Sequence, residues 1–77
     1  MIDKKVLELI GNELRVIRTE YRMSLEDVNA KTGISITTIS NYENAKTQMF
    51  LDMILKILNA YDNMTPSIFF KRITTKM

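Results

Sequence analysis

The sequence predicts an all-α domain of five helices. Apolar residues recur every three or four positions along the 77-residue chain, and β-branched residues do not alternate over any strand-length run. Only two glycines and one proline interrupt the chain, so no linker separates one part from another. We therefore expect a single domain over residues 1–77 with one small apolar core.

The first helix is predicted from about Lys4 to Arg22. Its apolar stripe steps by four, four, three and four residues and comprises Val6, Ile10, Leu14, Ile17 and Tyr21. Gly11 lies inside this stripe, where glycine costs a helix about 1 kcal/mol relative to alanine. Close packing of another element against Gly11 is the expected reason for that residue.

Two short helices follow. Ser24 is a suitable N-cap for the second helix, with Asp27 as its capping-box partner three residues later. This helix ends at Thr32-Gly33, because glycine readily takes the left-handed conformation that closes a helix. Ser35 is the N-cap of the third helix, whose apolar positions are Ile36, Ile39 and Tyr42.

The helical pattern resumes after a polar loop. The expected core face of the fourth helix comprises Leu51, Ile54, Leu55, Leu58 and Tyr61, with Met53 and Ile57 as a second apolar strip beside it. Asp62-Asn63 ends this helix, and Thr65-Pro66 starts the fifth, since proline is favoured at a first helical position. The fifth helix carries Ile68, Phe69, Phe70 and Ile73.

The composition argues against an enzyme. Without Cys or His, the chain lacks thiol catalysis, disulfides, iron–sulfur clusters and the commonest base and metal ligand. We expect no catalytic residue, metal, cofactor or small-molecule substrate, since no Gly-rich phosphate loop or acid/base pair is evident. No apolar run approaches the roughly 20 residues that span a bilayer. The expectation is a non-enzymatic, cytoplasmic protein without a membrane partner.

Two groups of basic residues have a simple structural interpretation. They are Arg15, Arg18 and Arg22 in the first helix, and Lys71, Arg72 and Lys76 in a basic tail at about 71–77. Such spacing is typical of a solvated helix face. The net charge of +2, from 11 basic and 9 acidic residues, is too small by itself to indicate binding to nucleic acid.

Residues 24–43 have the pattern of a helix-turn-helix. In that arrangement the first short helix braces the second, which presents its N-terminal half to the major groove of DNA. Val28 and Ile39 lie where the two helices must pack, and Gly33 lies at the turn. Similar segments arise by chance in all-α chains, so this segment alone does not decide the function.

The chain resembles the Cro/lambda-repressor-like (xenobiotic-response-element) family of DNA-binding domains over about residues 10–70. The most specific part is the segment ISITTISNYEN at residues 34–44, in register with Ile10-Gly11, Leu14-Arg15, Thr65-Pro66-Ser67 and Phe69. The resemblance implies a compact five-helix fold with a central helix-turn-helix. It also implies a double-stranded DNA partner and a prokaryotic or phage setting.

The resemblance further implies roles for individual residues. Arg18 and Glu43 match positions that form a partly buried ion pair in the family. Ser35, Asn44 and Lys46 match positions that usually contact DNA phosphates, although Ser35 and Asn44 also suit ordinary capping and turn formation.

Base reading is expected from the outward face of the third helix near its start, at Ile36, Thr37, Ser40 and Asn41. An apolar side chain such as Ile36 suits a thymine methyl group, and Asn41 matches the bidentate geometry of adenine. No Arg or Lys lies on this face, although these are the usual partners of guanine. We therefore expect an A/T-rich half-site. The alternative for Ile36 is that it is simply an exposed apolar residue.

The chain departs from the family pattern in three places. Leu25 replaces a Gln that often contacts the DNA backbone, and Asn29 replaces a small Ala, so that its amide needs a hydrogen-bond partner. Met49-Phe50 replace the usual Pro-Ser, which leaves the fourth helix without a good N-cap.

Members of the family usually bind pseudo-palindromic sites as two-fold dimers. The candidate dimer residues are Met53, Ile57, Met64 and Ile68, which alternatively pack within their own domain. The expected function is a sequence-specific transcriptional regulator, acting as a homodimeric repressor at an A/T-rich operator. The alternative is an antitoxin-like or anti-repressor module that uses the same fold to bind a regulatory protein partner.

Overall fold

The computed structural model describes residues 1–77. It contains five α-helices and no strand, which confirms the predicted fold class: α1 (Lys4–Glu20), α2 (Leu25–Thr32), α3 (Ile36–Glu43), α4 (Leu51–Leu58) and α5 (Pro66–Thr75). One apolar core joins all five helices. None of them combines the length and apolar character needed to cross a bilayer.

Helix α1 ends two residues earlier than predicted. Arg22 has a φ of 55°, so the chain turns through the left-handed region immediately after the C-cap Tyr21. The amide of Arg22 donates to the carbonyl of Thr19, and the amide of Met23 donates to that of Arg18. This pair of bonds is a Schellman closure, in which Arg22 occupies a position usually taken by glycine.

Gly11 allows α1 to pass directly over the end of α3. A Cβ atom on Gly11 would lie 2.8 Å from the carbonyl oxygen of Glu43 and closer still to that of Tyr42. Since these obstacles are backbone atoms, no side-chain rotation can relieve the overlap. The expectation of close packing at Gly11 is confirmed, and α3 is the helix that packs there.

The core face of α4 includes Ile54 and Leu58, as predicted, but it is centred nearer to Ile57 than to Leu51. Its buried residues are Ile54, Ile57 and Leu58, while Leu51 remains 60% exposed. The helix also stops at Leu58, because the next three amides donate to carbonyls three residues earlier and tighten the chain into turns. Phe50 stands at the N-cap and makes no side-chain bond, as the lack of a polar capping residue predicts.

Helix α5 extends into the segment predicted as a basic tail and is joined to α1 by a buried carboxylate. Glu13 is fully buried; Lys76 Nζ lies 2.8 Å and Arg72 Nε 3.2 Å from its Oε1 atom. Arg72 also pairs with Glu20, at 3.1 Å between Nη1 and Oε1. Two of the tail's cations therefore neutralise carboxylates of the first helix.

We expect Gly11→Ala to lower the free energy of unfolding by about 1–3 kcal/mol, since overpacking against fixed backbone outweighs the gain in helix propensity. Asn12→Ala is the matched control on the next, exposed position of α1, where propensity predicts a gain of up to about 0.7 kcal/mol. Urea unfolding at pH 7 measures both. Equal stabilisation by the two substitutions would contradict the close contact.

Burial raises the pKa of Glu13, but hydrogen bonds from Lys76 and Arg72 outweigh burial, so the pKa lies below its ordinary value of 4.5. A carboxyl with a lower pKa in the folded state stabilises the fold above its unfolded pKa, and this contribution is lost as the pH falls through the folded pKa. We expect the free energy of unfolding to decrease as the pH drops below about 4.5. Glu13→Gln is expected to be about 2–3 kcal/mol less stable at pH 7 and to show less of this decrease.

Urea unfolding between pH 7 and pH 2.5 tests the effect. Glu8→Gln is the matched control, because Glu8 is exposed on the same helix and forms no ion pair. If Glu13→Gln and Glu8→Gln have the same pH profile, the buried carboxylate is not the source of the acid sensitivity.

Candidate DNA-binding surface

Helices α2 and α3 begin and end where the sequence predicts. The Ser24 hydroxyl accepts from the amide of Asp27 at 3.0 Å, and the Asp27 carboxylate accepts from the amide of Ser24 at 2.8 Å, which completes a capping box. Gly33 has a φ of 77° and closes α2 in the left-handed conformation. Val28 and Ile39 are both buried, consistent with the predicted contact between the two helices.

Polar side chains of α2 fix the turn into α3. The side-chain Nδ2 of Asn29 donates to the carbonyl of Ile34 at 2.8 Å, so this partly buried residue has the hydrogen-bond partner that it needs. The Thr32 hydroxyl donates to the carbonyl of Val28 and accepts from the amide of Ile34. The direction in which α3 leaves the turn is therefore set by α2.

The start of α3 forms an exposed and uncharged face. Ser35 caps it, accepting from the amide of Thr38 at 3.2 Å. The four proposed base-reading positions follow at helical spacing on one side: Ile36 and Thr37 are exposed, and Ser40 and Asn41 are partly exposed. Apart from the buried Glu43, α3 contains no Asp, Glu, Lys or Arg. Hydroxyls, an amide and methyl groups therefore make up this face.

An ion pair holds the other end of α3 against α1. Arg18 donates from Nε to Glu43 Oε2 at 2.7 Å and from Nη2 to Oε1 at 2.9 Å, and its Nη1 donates to the carbonyl of Met23. Hydrogen bonding to Glu43 raises the pKa of Arg18 although burial opposes it. Because all three nitrogens have partners in the chain, this guanidinium acts as a structural link.

The residues proposed for phosphate contacts lie at both ends of α3. Ser35 is exposed at its start, and Lys46 is exposed in the turn after its end, where it forms no ion pair. Asn44 is the C-cap, but its side chain is already occupied. Its Nδ2 donates to the carbonyl of Ser40 at 2.9 Å, and its Oδ1 accepts from Arg15.

The candidate dimer residues are not all on the surface. Ile57 is only 1% exposed, so the prediction that it lies in a surplus apolar strip at a dimer interface is wrong. It packs in the core of its own chain. Met53 and Met64 are partly buried, and Ile68 is exposed. The prediction that Leu51 lies in the core is wrong, since this side chain is 60% exposed.

Some features of this surface were missed from the sequence. Phe50 and Leu51 are 69% and 60% exposed, which the apolar pattern of the sequence did not indicate. The contact of Arg15 with Asn44 joins positions 29 residues apart and had no local signal. No three potential metal-ligating side chains lie together.

A family model described as helix-turn-helix matches residues 14–69, from the middle of α1 to the first turns of α5. The chain belongs to the Cro/lambda-repressor-like helix-turn-helix family. It is a DNA-binding transcription regulator. Comparisons with curated proteins and with solved structures give no match.

We expect Arg18→Met in this helix-turn-helix protein to cost about 3 kcal/mol, because it leaves the buried Glu43 carboxylate without its bidentate partner. Arg22→Met is the matched control, since Arg22 is exposed and makes no side-chain ion pair; its effect should stay within about 0.5 kcal/mol. A double-mutant cycle with Glu43→Leu, measured by urea unfolding, gives the coupling. Additive losses would show that the two side chains do not act as a pair.

Proposed function

We propose that this regulator is a repressor that inserts α3 into the major groove of an A/T-rich, pseudo-palindromic operator as a homodimer. The observation that carries the proposal is the uncharged, exposed face at the start of α3. An α-helix fits the major groove, where base edges are read by hydrogen bonds and methyl contacts. This face offers only those two kinds of contact.

The side chains on this face favour A·T pairs. Ile36 keeps 37% of its surface exposed, and a thymine methyl group is a suitable partner for it. Asn41 has an amide that matches the N6 and N7 atoms of adenine. Guanine is usually read by Arg or Lys, and α3 contains neither.

Phosphate anchoring is proposed on both sides of α3. The backbone amides of Ile36 and Thr37 have no acceptor within the chain, so they remain available beside the Ser35 hydroxyl. Lys46 provides a cation beyond the other end of the helix. Such contacts fix the register on the duplex without reading its sequence.

A homodimer is supported by size and by exposed apolar side chains. The domain measures 30 × 24 × 20 Å, a size that allows two adjacent copies to contact half-sites one turn of B-DNA apart, roughly 34 Å. Phe50, Leu51 and Ile68 expose apolar surface that a second copy can cover. A dimer bound across a promoter represses by excluding polymerase.

The second candidate function is an antitoxin-like or anti-repressor module. The exposure of Phe50 and Leu51 favours it, because a partner protein can cover the same residues. In that case contact with the partner protein, rather than sequence-specific DNA binding, is the main function of the domain.

We expect selection from random duplexes to recover a pseudo-palindrome with A/T-rich half-sites, bound about a thousandfold more tightly than random DNA. Asn41→Ala should lose about 1–3 kcal/mol of discrimination at one adenine per half-site. Thr74→Ala, on an exposed position of α5, is the matched control and should leave the recovered sequence unchanged. Half-sites dominated by G·C pairs would overturn the proposed readout, and binding without sequence preference would favour the protein-interaction function.

A further inference from the structure

Arg15 is an exposed cation held beside the end of α3. Its side chain is 45% exposed, and its Nη2 donates to the Oδ1 atom of Asn44. Its Nε lies 3.8 Å from Glu43 Oε1, too far for a hydrogen bond. Glu43 is already bound through both oxygens by Arg18, so the two arginines share one carboxylate and the three groups together carry a net positive charge.

Asn44 is arranged to orient Arg15. The Nδ2 of Asn44 donates to the carbonyl of Ser40 at 2.9 Å and lies 3.4 Å from the Ser40 hydroxyl. This fixes the amide plane so that Oδ1 faces Arg15. To bind a phosphate through its side chain, Asn44 must give up one of these bonds, whereas Arg15 has donors to spare.

The surroundings of Arg15 are open enough for an anion. A groove of about 260 Å³ lies between α1 and the end of α3, lined by Glu8, Asn12, Arg15, Glu43, Asn44 and Ala45. Arg15 is the single cation among these residues. Glu8 is exposed in the same groove and opposes an anion there.

We propose that Arg15 binds a DNA phosphate and that Asn44 is its positioning residue. The inference rests on the proposed insertion of α3 into the major groove, which brings the end of α3 next to the DNA backbone. Because the exposed face of α3 is uncharged, the attraction to phosphates must come from residues outside that helix. A guanidinium held by Asn44 presents its remaining N–H groups in the planar fork that suits a phosphate.

The dependence of DNA affinity on salt tests the role of Arg15. The probe is the tightest duplex recovered by selection, labelled with a fluorophore and titrated at several potassium chloride concentrations. Arg15→Gln should make the plot of log K against log salt shallower by about 0.9 for each bound chain, and weaken binding roughly eightfold at 0.1 M salt. Arg15→Lys keeps the charge and should retain most of the slope.

Lys71→Gln is the matched control for the loss of one positive charge. Lys71 lines a groove with Glu13, which projects from nearly the opposite side of α1 to Arg15. The slope should therefore change little in this variant. Equal changes in Arg15→Gln and Lys71→Gln would overturn the inference by showing only a net-charge effect.

A double-mutant cycle tests the role of Asn44. If Asn44 acts through Arg15, Asn44→Ala weakens binding in the wild-type background and has little further effect in Arg15→Gln. Additive losses would instead make Asn44 a phosphate contact in its own right. Glu8→Gln should tighten binding, since it removes the anion that shares the groove with Arg15.

The outcomes separate this inference from the proposed function. If the wild-type protein selects an operator and Arg15→Gln leaves its salt slope unchanged, only the role of Arg15 is overturned. If the wild-type protein selects no duplex and its residual binding has no salt dependence, the proposed function fails and the role of Arg15 fails with it. Thermal unfolding of each variant, compared with the wild type, separates a change in stability from a change in DNA binding.

Discussion

The contact between α1 and the C-terminal end of α3 determines the position of the exposed face at the start of α3. Gly11 admits the carbonyl groups of Tyr42 and Glu43 at a distance that no side chain allows. Two turns further along α1, Arg18 binds both oxygens of the Glu43 carboxylate. The backbone and the side chain of Glu43 are thus fixed by the same helix, and the outward direction of Ile36 and Asn41 follows.

This fixation matters because an eight-residue helix is not stable alone in water. The start of α3 is held by the bond from Asn29 to the carbonyl of Ile34, and its end by α1. The Tyr42 hydroxyl accepts from the amide of Phe50 at 3.0 Å, which ties the end of α3 to the start of α4. The exposed side chains of Ile36 and Thr37 take no part in these contacts and are therefore available for the base contacts proposed above.

Local signals in the sequence were sufficient for the helix boundaries of the helix-turn-helix. A capping hydroxyl and a left-handed glycine act within three or four residues, so Ser24, Gly33 and Ser35 are readable without knowledge of the fold. The core face of α4 was readable only in part: Ile54 and Leu58 are buried as predicted, but Ile57 is buried too, because the two apolar strips have the same periodicity and only packing decides between them. The bonds from Arg72 and Lys76 to Glu13 span 59 and 63 residues, beyond any local pattern.

The net charge of +2 does not show where the unpaired charges lie on the surface. Glu13 is neutralised by Arg72 and Lys76, and Glu43 by Arg18, so these carboxylates project little field into solvent. Arg15 and Lys46 remain exposed beside the end of α3. An electrostatic argument about DNA binding must therefore count the charges left over after internal pairing, together with their place on the surface. A chain with a net charge of +2 can still present a locally basic edge to a phosphate backbone.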